Sequence, residues 1–175
     1  MANYSMISSR FSTLSRLFAV LALGTGIFLA QPLQAQAVGQ PAPAWKLTDL
    51  AGHAVSSDQF KGKVLVVDFW ATWCGPCVSE IPGYIELQKK YGPDGLVIVG
   101  VSLDQKGPEQ VKKFAGAKGM NYTIVMGDDA VQEAFGGIEA IPTTFLIGRD
   151  GKIVHQKTGA MAHEEYEQLV QQALK

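Results

Sequence analysis

Cysteine is nearly absent from this chain: Cys74 and Cys77 are the only two in 175 residues. A structural zinc site takes four ligands. There is no second cysteine pair, and His53, His155 and His163 have no matching spacing, so the sequence gives no support for such a site. A structural staple is also a poor reading, because a bond closing so short a loop removes little unfolded-chain entropy. Basic tracts are missing as well. Lysine and arginine total 15 against 16 aspartate and glutamate, and they are dispersed, so nothing points to nucleic acid. No internal repeat or low-complexity segment is present. The three histidines read as ordinary surface residues.

Charge is scarce at the start of the chain. Arg10 and Arg16 are the only charged residues before Lys46. Leu17 to Ala30 is an uncharged apolar run of 14 residues, short of the roughly 20 that span a bilayer as a helix. Ala35-Gln36-Ala37 then fits a signal cleavage site. Residues 1–37 are expected to be a secretory signal peptide, cut after Ala37. An uncleaved membrane anchor is the alternative, because Leu17 to Trp45 carries no charge. No cysteine near the cut supports a lipoprotein, and no twin arginine is present. The expected compartment is the periplasm, where disulfides persist. Residues 38–175 remain, 138 in all, with a net charge of −3, enough for one domain with a real core.

What the chain does have is a strand that runs into its two cysteines. Val64-Leu-Val-Val-Asp-Phe-Trp70 reads as a buried strand, and a helical pattern follows Cys74-Gly75-Pro76-Cys77. A Cys-x-x-Cys at such a junction reads as a redox motif. Residues i and i+3 share one face of the first helical turn, so the two sulfurs can meet. The free N–H groups of that turn favour a thiolate. Pro76 suits a helix start, where the donor it lacks would be unpaired. Cys74, first in the turn, is the candidate nucleophile, and Cys77, one turn deeper, is the resolving thiol. Asp68 is an ionisable residue in an apolar strand, costly unless it has a task.

The rest of the pattern alternates strands and helices. Trp45 to Thr48 and His53 to Val55 read as a hairpin, and Ser57 to Phe60 as a helical turn. Cys74 to Tyr91 reads as a helix bent at Pro82, Leu96 to Leu103 as a buried strand, and Pro108 to Lys118 as a second helix. Tyr122 to Met126 is extended, and Val131 to Phe135 is a helical turn. Thr144 to Ile147 and Ile153 to Lys157 form a closing hairpin, and Ala162 to Leu174 is the last helix. This predicts an α/β fold: a mixed central sheet with helices on both faces.

Trp73-Cys-Gly-Pro-Cys77 after a valine-rich strand resembles thioredoxin. The continuation Cys77-Val-Ser-Glu80-Ile-Pro82 is similar to the TlpA/ResA-like thioredoxins of bacterial envelopes, and the likeness covers about residues 40–175. It implies a thioredoxin fold with an N-terminal β-hairpin and an αβ insertion over about 104–126. It implies that Asp68 takes the proton of Cys77 and that Glu80 tunes the thiols. Thioredoxins carry a lysine on the next strand near this aspartate. Here Val97 to Leu103 has none, so the partner of Asp68 is left open. Ile141-Pro142-Thr143 matches the cis-proline loop, and Gly159-Ala160 the third loop of the docking surface. With Trp73, Gly75 and Pro76 these would form an apolar patch for partners.

The resemblance implies an exported thiol-disulfide oxidoreductase that acts on protein disulfides as a monomer. Its cofactor requirement would be met by the Cys74–Cys77 pair alone, with no metal. A Gly-Pro spacer resembles thioredoxin, near about −270 mV, rather than a strong oxidant near about −120 mV. That favours a reductase recharged by a membrane electron donor, with cytochrome c maturation or copper-centre assembly as client pathways. Two alternatives stand beside it. A peroxiredoxin-like peroxidase needs Pro-x-x-x-Thr before a lone cysteine, and Phe69-Trp-Ala-Thr-Trp73 offers Thr72 but no proline. A copper-binding assembly chaperone would need a histidine or other soft ligands beside Cys74 and Cys77.

Overall fold

The computed structural model describes residues 37–175. Apart from Ala37, the expected signal peptide lies outside the described residues. Seven strands and four helices follow: β1 (Lys46–Asp49), β2 (Ala54–Ser56), β3 (Val64–Trp70), α1 (Gly75–Tyr91), β4 (Leu96–Ser102), α2 (Pro108–Lys118), β5 (Thr123–Met126), α3 (Asp129–Ala134), β6 (Thr143–Ile147), β7 (Ile153–Thr158) and α4 (His163–Leu174). The sheet order is β2-β1-β5-β4-β3-β6-β7. β3, β4 and β5 run parallel, and the remaining pairs are antiparallel.

β3 is the axis of the molecule, and all seven of its residues are buried. Its period of two divides them between two cores. Leu65, Val67 and Phe69 pack with Val99, Val101, Val131, Phe135 and Phe145 on the α3 side. Val64 and Val66 pack under α1 and α4 with Tyr84, Leu87, Tyr166 and Val170. Trp70 meets Ile81 of α1 and Val111 and Ala115 of α2. The sheet is therefore covered on both faces, which is why β3 reads as a continuous apolar run.

Local chemistry moves several boundaries from their sequence-based positions. Trp45 stands just outside β1, buried in the core with its ring 6.1 Å from that of Phe60. α3 begins at Asp129 because the Asp128 carboxylate accepts the Val131 N–H at 2.8 Å, a side-chain cap that starts the helix early. α1 runs through Pro82 without interruption. α2 keeps its expected bounds and stops at Gly119, whose φ of 68° is left-handed and closes the helix end. The lead-in adds itself to the free edge of β7. Gly39 N–H donates to the Ile153 carbonyl at 2.7 Å, and Ile153 N–H to the Gln40 carbonyl at 2.9 Å. The αβ insertion is α2 with β5.

Candidate active site

Cys74 caps α1, and Cys77 lies in its first turn. The two are joined as a disulfide with Cα atoms 5.3 Å apart. The Cys77 N–H points at Cys74 Sγ at 3.3 Å. A helix-start donor aimed at the first sulfur favours negative charge there once the bond is reduced. Both residues are largely enclosed, Cys74 at 6% exposure and Cys77 at 3%.

The loop before Cys74 is tethered. Asp104, just past β4, is buried. Its carboxylate accepts the Thr72 N–H at 2.9 Å, the Thr72 hydroxyl, and the Ser102 hydroxyl at 2.9 Å. Gln110 of α2 adds a bond to Thr72 Oγ1 at 3.2 Å. The insertion thus holds the active-site loop by its backbone. Trp73, next in line, is left 69% exposed. Gly75 and Pro76 are exposed beside it.

The Ile141–Pro142 peptide is cis, and the Ile141 carbonyl oxygen lies 3.6 Å from Cys74 Sγ. The Gly159 N–H donates to the Pro142 carbonyl at 2.8 Å, so the two loops are stitched together. Ala160 is exposed next to them. Cys74, Ile141 and Pro142 therefore stand together, with Gly159 tied to Pro142.

Beneath α1 lies a buried polar row. Strand register sets Gly100, Asp68, Thr144 and Lys157 side by side across β4, β3, β6 and β7. The Thr144 hydroxyl donates to Asp68 Oδ1 at 2.8 Å and meets the Tyr84 hydroxyl at 3.2 Å. Burial pushes the Asp68 carboxyl up to about 7, with Glu80 adding to the rise and Thr144 and Lys157 opposing it. Tyr84 and Tyr166 are also pushed well up, by burial first and by the Asp68 charge second.

The cation that β4 lacks comes from the other direction, two strands away. Lys157 Nζ lies 2.7 Å from Glu80 Oε1. Glu80 is accordingly enclosed in the structure, its side chain only 10% exposed. The reading of all three histidines as surface groups needs correction at His155. It is half-buried on β7, its Nε2 is enclosed without a hydrogen-bond partner among the described residues, and desolvation lowers its pKa.

Sequence reasoning passed over Thr144, Lys157 and Asp104. Lys157 is polar at the end of an otherwise apolar-led strand, and Asp104 follows a buried run. Those were the available signals. Among the described residues, no group of three or more His, Cys, Asp or Glu side chains is placed to hold a metal ion.

Comparison with known proteins agrees with this geometry. The Redoxin family matches residues 37–172. Thiol-disulfide oxidoreductase ResA of Geobacillus kaustophilus is 38% identical over 135 residues, covering 76% of either chain. ResA of Bacillus anthracis is 36% identical over 132 residues, covering 74% of this chain and 75% of its own. Among solved structures, a putative thiol:disulfide interchange protein DsbE from Chlorobium tepidum superposes with a TM-score of 0.73 at 32% identity, covering 79% of this chain and 98% of that one. The chain belongs to the Redoxin family and is a thiol-disulfide oxidoreductase of the ResA type with a thioredoxin fold.

Proposed function

We propose that the protein is exported to the periplasm and there reduces disulfides in other proteins. The observation that carries this reading is the approach of Cys74 Sγ to the Ile141 carbonyl at 3.6 Å, beside the exposed Trp73. An extended client segment pairs strand to strand with the Ile141 backbone and lays its own disulfide against Cys74.

In the reduced enzyme the Cys74 thiolate attacks one client sulfur, and a mixed disulfide forms as the client's S–S bond breaks. Cys77 gives up its proton, attacks Cys74 Sγ, and displaces the second client thiolate. The client gains two electrons and the Cys74–Cys77 disulfide closes. Asp68 lies in the strand that leads into the motif, buried and close enough to neutral in its titration to exchange that proton. Glu80 adjoins it from the helix side.

The Gly75-Pro76 spacer supports the reducing direction, and a membrane dithiol carrier then restores the reduced pair. Clients with cysteine pairs awaiting haem or copper fit this chemistry. No cofactor beyond the cysteine pair is required, and the working form is a monomer.

The test is reduction of insulin by the mature protein with a dithiol as electron source. Cys74→Ser abolishes turnover, and Cys77→Ser traps a mixed disulfide. Trapping by Cys74→Ser instead would reverse the assigned roles. The mass of the exported chain reports whether residues 1–37 are removed.

A further inference from the structure

Lys157 is an unusual residue to find under an active-site helix. Its side chain is 5% exposed, and besides Glu80 at 2.7 Å its ammonium donates to the Gly159 carbonyl at 3.1 Å. It also stands 5.7 Å from the centre of the Tyr166 ring. Glu80 Oε1 accepts a second bond, from Met161 N–H at 3.1 Å. Glu80 Oε2 is enclosed and has no hydrogen-bond partner among the described residues. The strand register then places Lys157 next to Thr144, which binds Asp68. One enclosed cluster holds two carboxyl groups and one ammonium.

That count has a consequence. With both carboxyls ionised, the cluster carries an uncompensated negative charge in a medium of low dielectric, which is costly. With one proton shared among them it is neutral. The contacts decide where the proton resides. Lys157 bonds directly to Glu80, whereas among the described residues the only hydrogen bond to the Asp68 carboxyl comes from a neutral hydroxyl. Other titratable groups face the cluster among the described residues. Tyr84 of α1, Tyr166 of α4 and Tyr122 before β5 are held as phenols by burial, desolvation lowers the pKa of His155 of β7, and His163 of α4, in the same cleft as Glu80, faces Glu86 at 3.5 Å.

We propose that Lys157 is a positioning residue for disulfide exchange: by holding Glu80 as its ion partner, it reserves Asp68 as the single acid that takes up and returns the Cys77 proton. The proposal rests on the reductase reading above. In the resolving step the Cys77 S–H bond breaks and its proton passes to the Asp68 carboxylate. The Cys77 thiolate then forms the bond to Cys74, and the client thiolate leaves with the electron pair of the mixed disulfide. Lys157 touches no reacting atom and acts only through the charge balance of the two acids.

The experiment is the pH profile of client release from a preformed mixed disulfide on Cys74, followed by stopped flow. Lys157→Met removes the cation that favours ionised Asp68, so the midpoint moves up by about one pH unit or more, and release at pH 7 falls several-fold. Lys157→Arg restores the wild-type profile. Glu80→Gln removes a like charge and moves the midpoint down. Lys157→Met with Glu80→Gln returns it towards wild type, since the two charges cancel. A midpoint that stays put in Lys157→Met overturns the proposal. Should that variant not fold, Glu80→Gln decides alone, and an unmoved midpoint there overturns it equally. Wild-type protein that reduces no disulfide would instead sink the reductase reading.

Discussion

Asp68 and Thr144 face each other across the β3–β6 pair, and the threonine hydroxyl donates to the carboxylate at 2.8 Å. That single neutral donor does not offset the loss of water, and the carboxyl titrates at about 7 instead of its ordinary 3.8. The sign of the effect on stability follows. In the unfolded chain Asp68 loses its proton near 3.8, while in the folded protein it keeps it to about 7. The folded state therefore binds the extra proton, and its stability is full below the lower value and drops as pH rises through the higher one. The loss amounts to something on the order of 4 kcal/mol. Urea denaturation of the oxidised protein at pH 5 and pH 8.5 captures the part lost above pH 5, about 3 kcal/mol. Asp68→Asn removes this contribution, so the variant should lose much less between the two pH values. A wild-type curve as flat as that of the variant would show that Asp68 is ionised at little cost.

Reduced Cys74 should titrate below the free-thiol value of about 8.5. It caps α1, and the Cys77 N–H already points at its sulfur at 3.3 Å. A thiolate there meets both the helix dipole and a hydrogen-bond donor. The rate of iodoacetamide alkylation against pH, read on Cys77→Ser to leave a single thiol, gives the midpoint. A value at or above that of a free thiol would remove the helix start from the mechanism.

Much of this was legible in the sequence, and the division follows physical lines. β3 and α1 could be read because their signals are local. Seven buried residues in a row, Cys-Gly-Pro-Cys at the junction and a helical pattern behind it need no knowledge of distant parts. Ile141-Pro142 could be located for the same reason. Lys157 could not. Its role depends on which residue of β7 lies beside Thr144, and the hairpin carries an irregularity between Leu146 and Ile147 that shifts the register. Counting alternate residues back from the Arg149-Asp150-Gly151 turn therefore misplaces the row. The absence of a lysine from β4 is legible in the sequence. What one strand could not show was that the charge arrives from the opposite side of Asp68.

Asp104→Ala should loosen the loop that presents Trp73 and Cys74. The carboxylate gathers the Thr72 N–H, the Thr72 hydroxyl and the Ser102 hydroxyl. Removing it leaves these donors without their acceptor at a buried site, at about 1–3 kcal/mol for each group that water cannot reach. A total of roughly 2–4 kcal/mol is expected in urea unfolding, because partial solvation relieves some of it. The functional effect should fall on client binding, with KM for insulin rising more than kcat falls. Asp104→Asn keeps an acceptor for Thr72 and should lose less than half as much. Equal losses in the two variants would mean that packing, not hydrogen bonding, makes Asp104 important.

Gly100 ends the polar row on β4, beside Asp68. A Cβ built there would lie 2.9 Å from Trp70 Nε1 and 3.4 Å from Trp70 Cδ1 and Tyr122 Cε2. The indole has little room to retreat. Trp70 is 1% exposed, and its ring lies 5.9 Å from that of Phe114. Tyr122 is fixed edge-on to Tyr84 at 6.3 Å. Two opposing effects meet in Gly100→Ala. Alanine restricts the unfolded chain and would by itself add about 0.4–1 kcal/mol. Overpacking a filled core costs about 1–3 kcal/mol. The contact at 2.9 Å is against a wholly enclosed ring, so overpacking should win, with a net loss of about 1–2 kcal/mol in urea unfolding. Trp70 ends the strand that leads to Cys74, so the same change should also slow insulin reduction. Trp70→Phe in the Gly100→Ala chain vacates the position of Nε1 and should recover part of the stability lost. A Gly100→Ala protein as stable as wild type would show that the indole shifts freely, and the close fit of β4 against Trp70 would then have no part in holding the active-site strand.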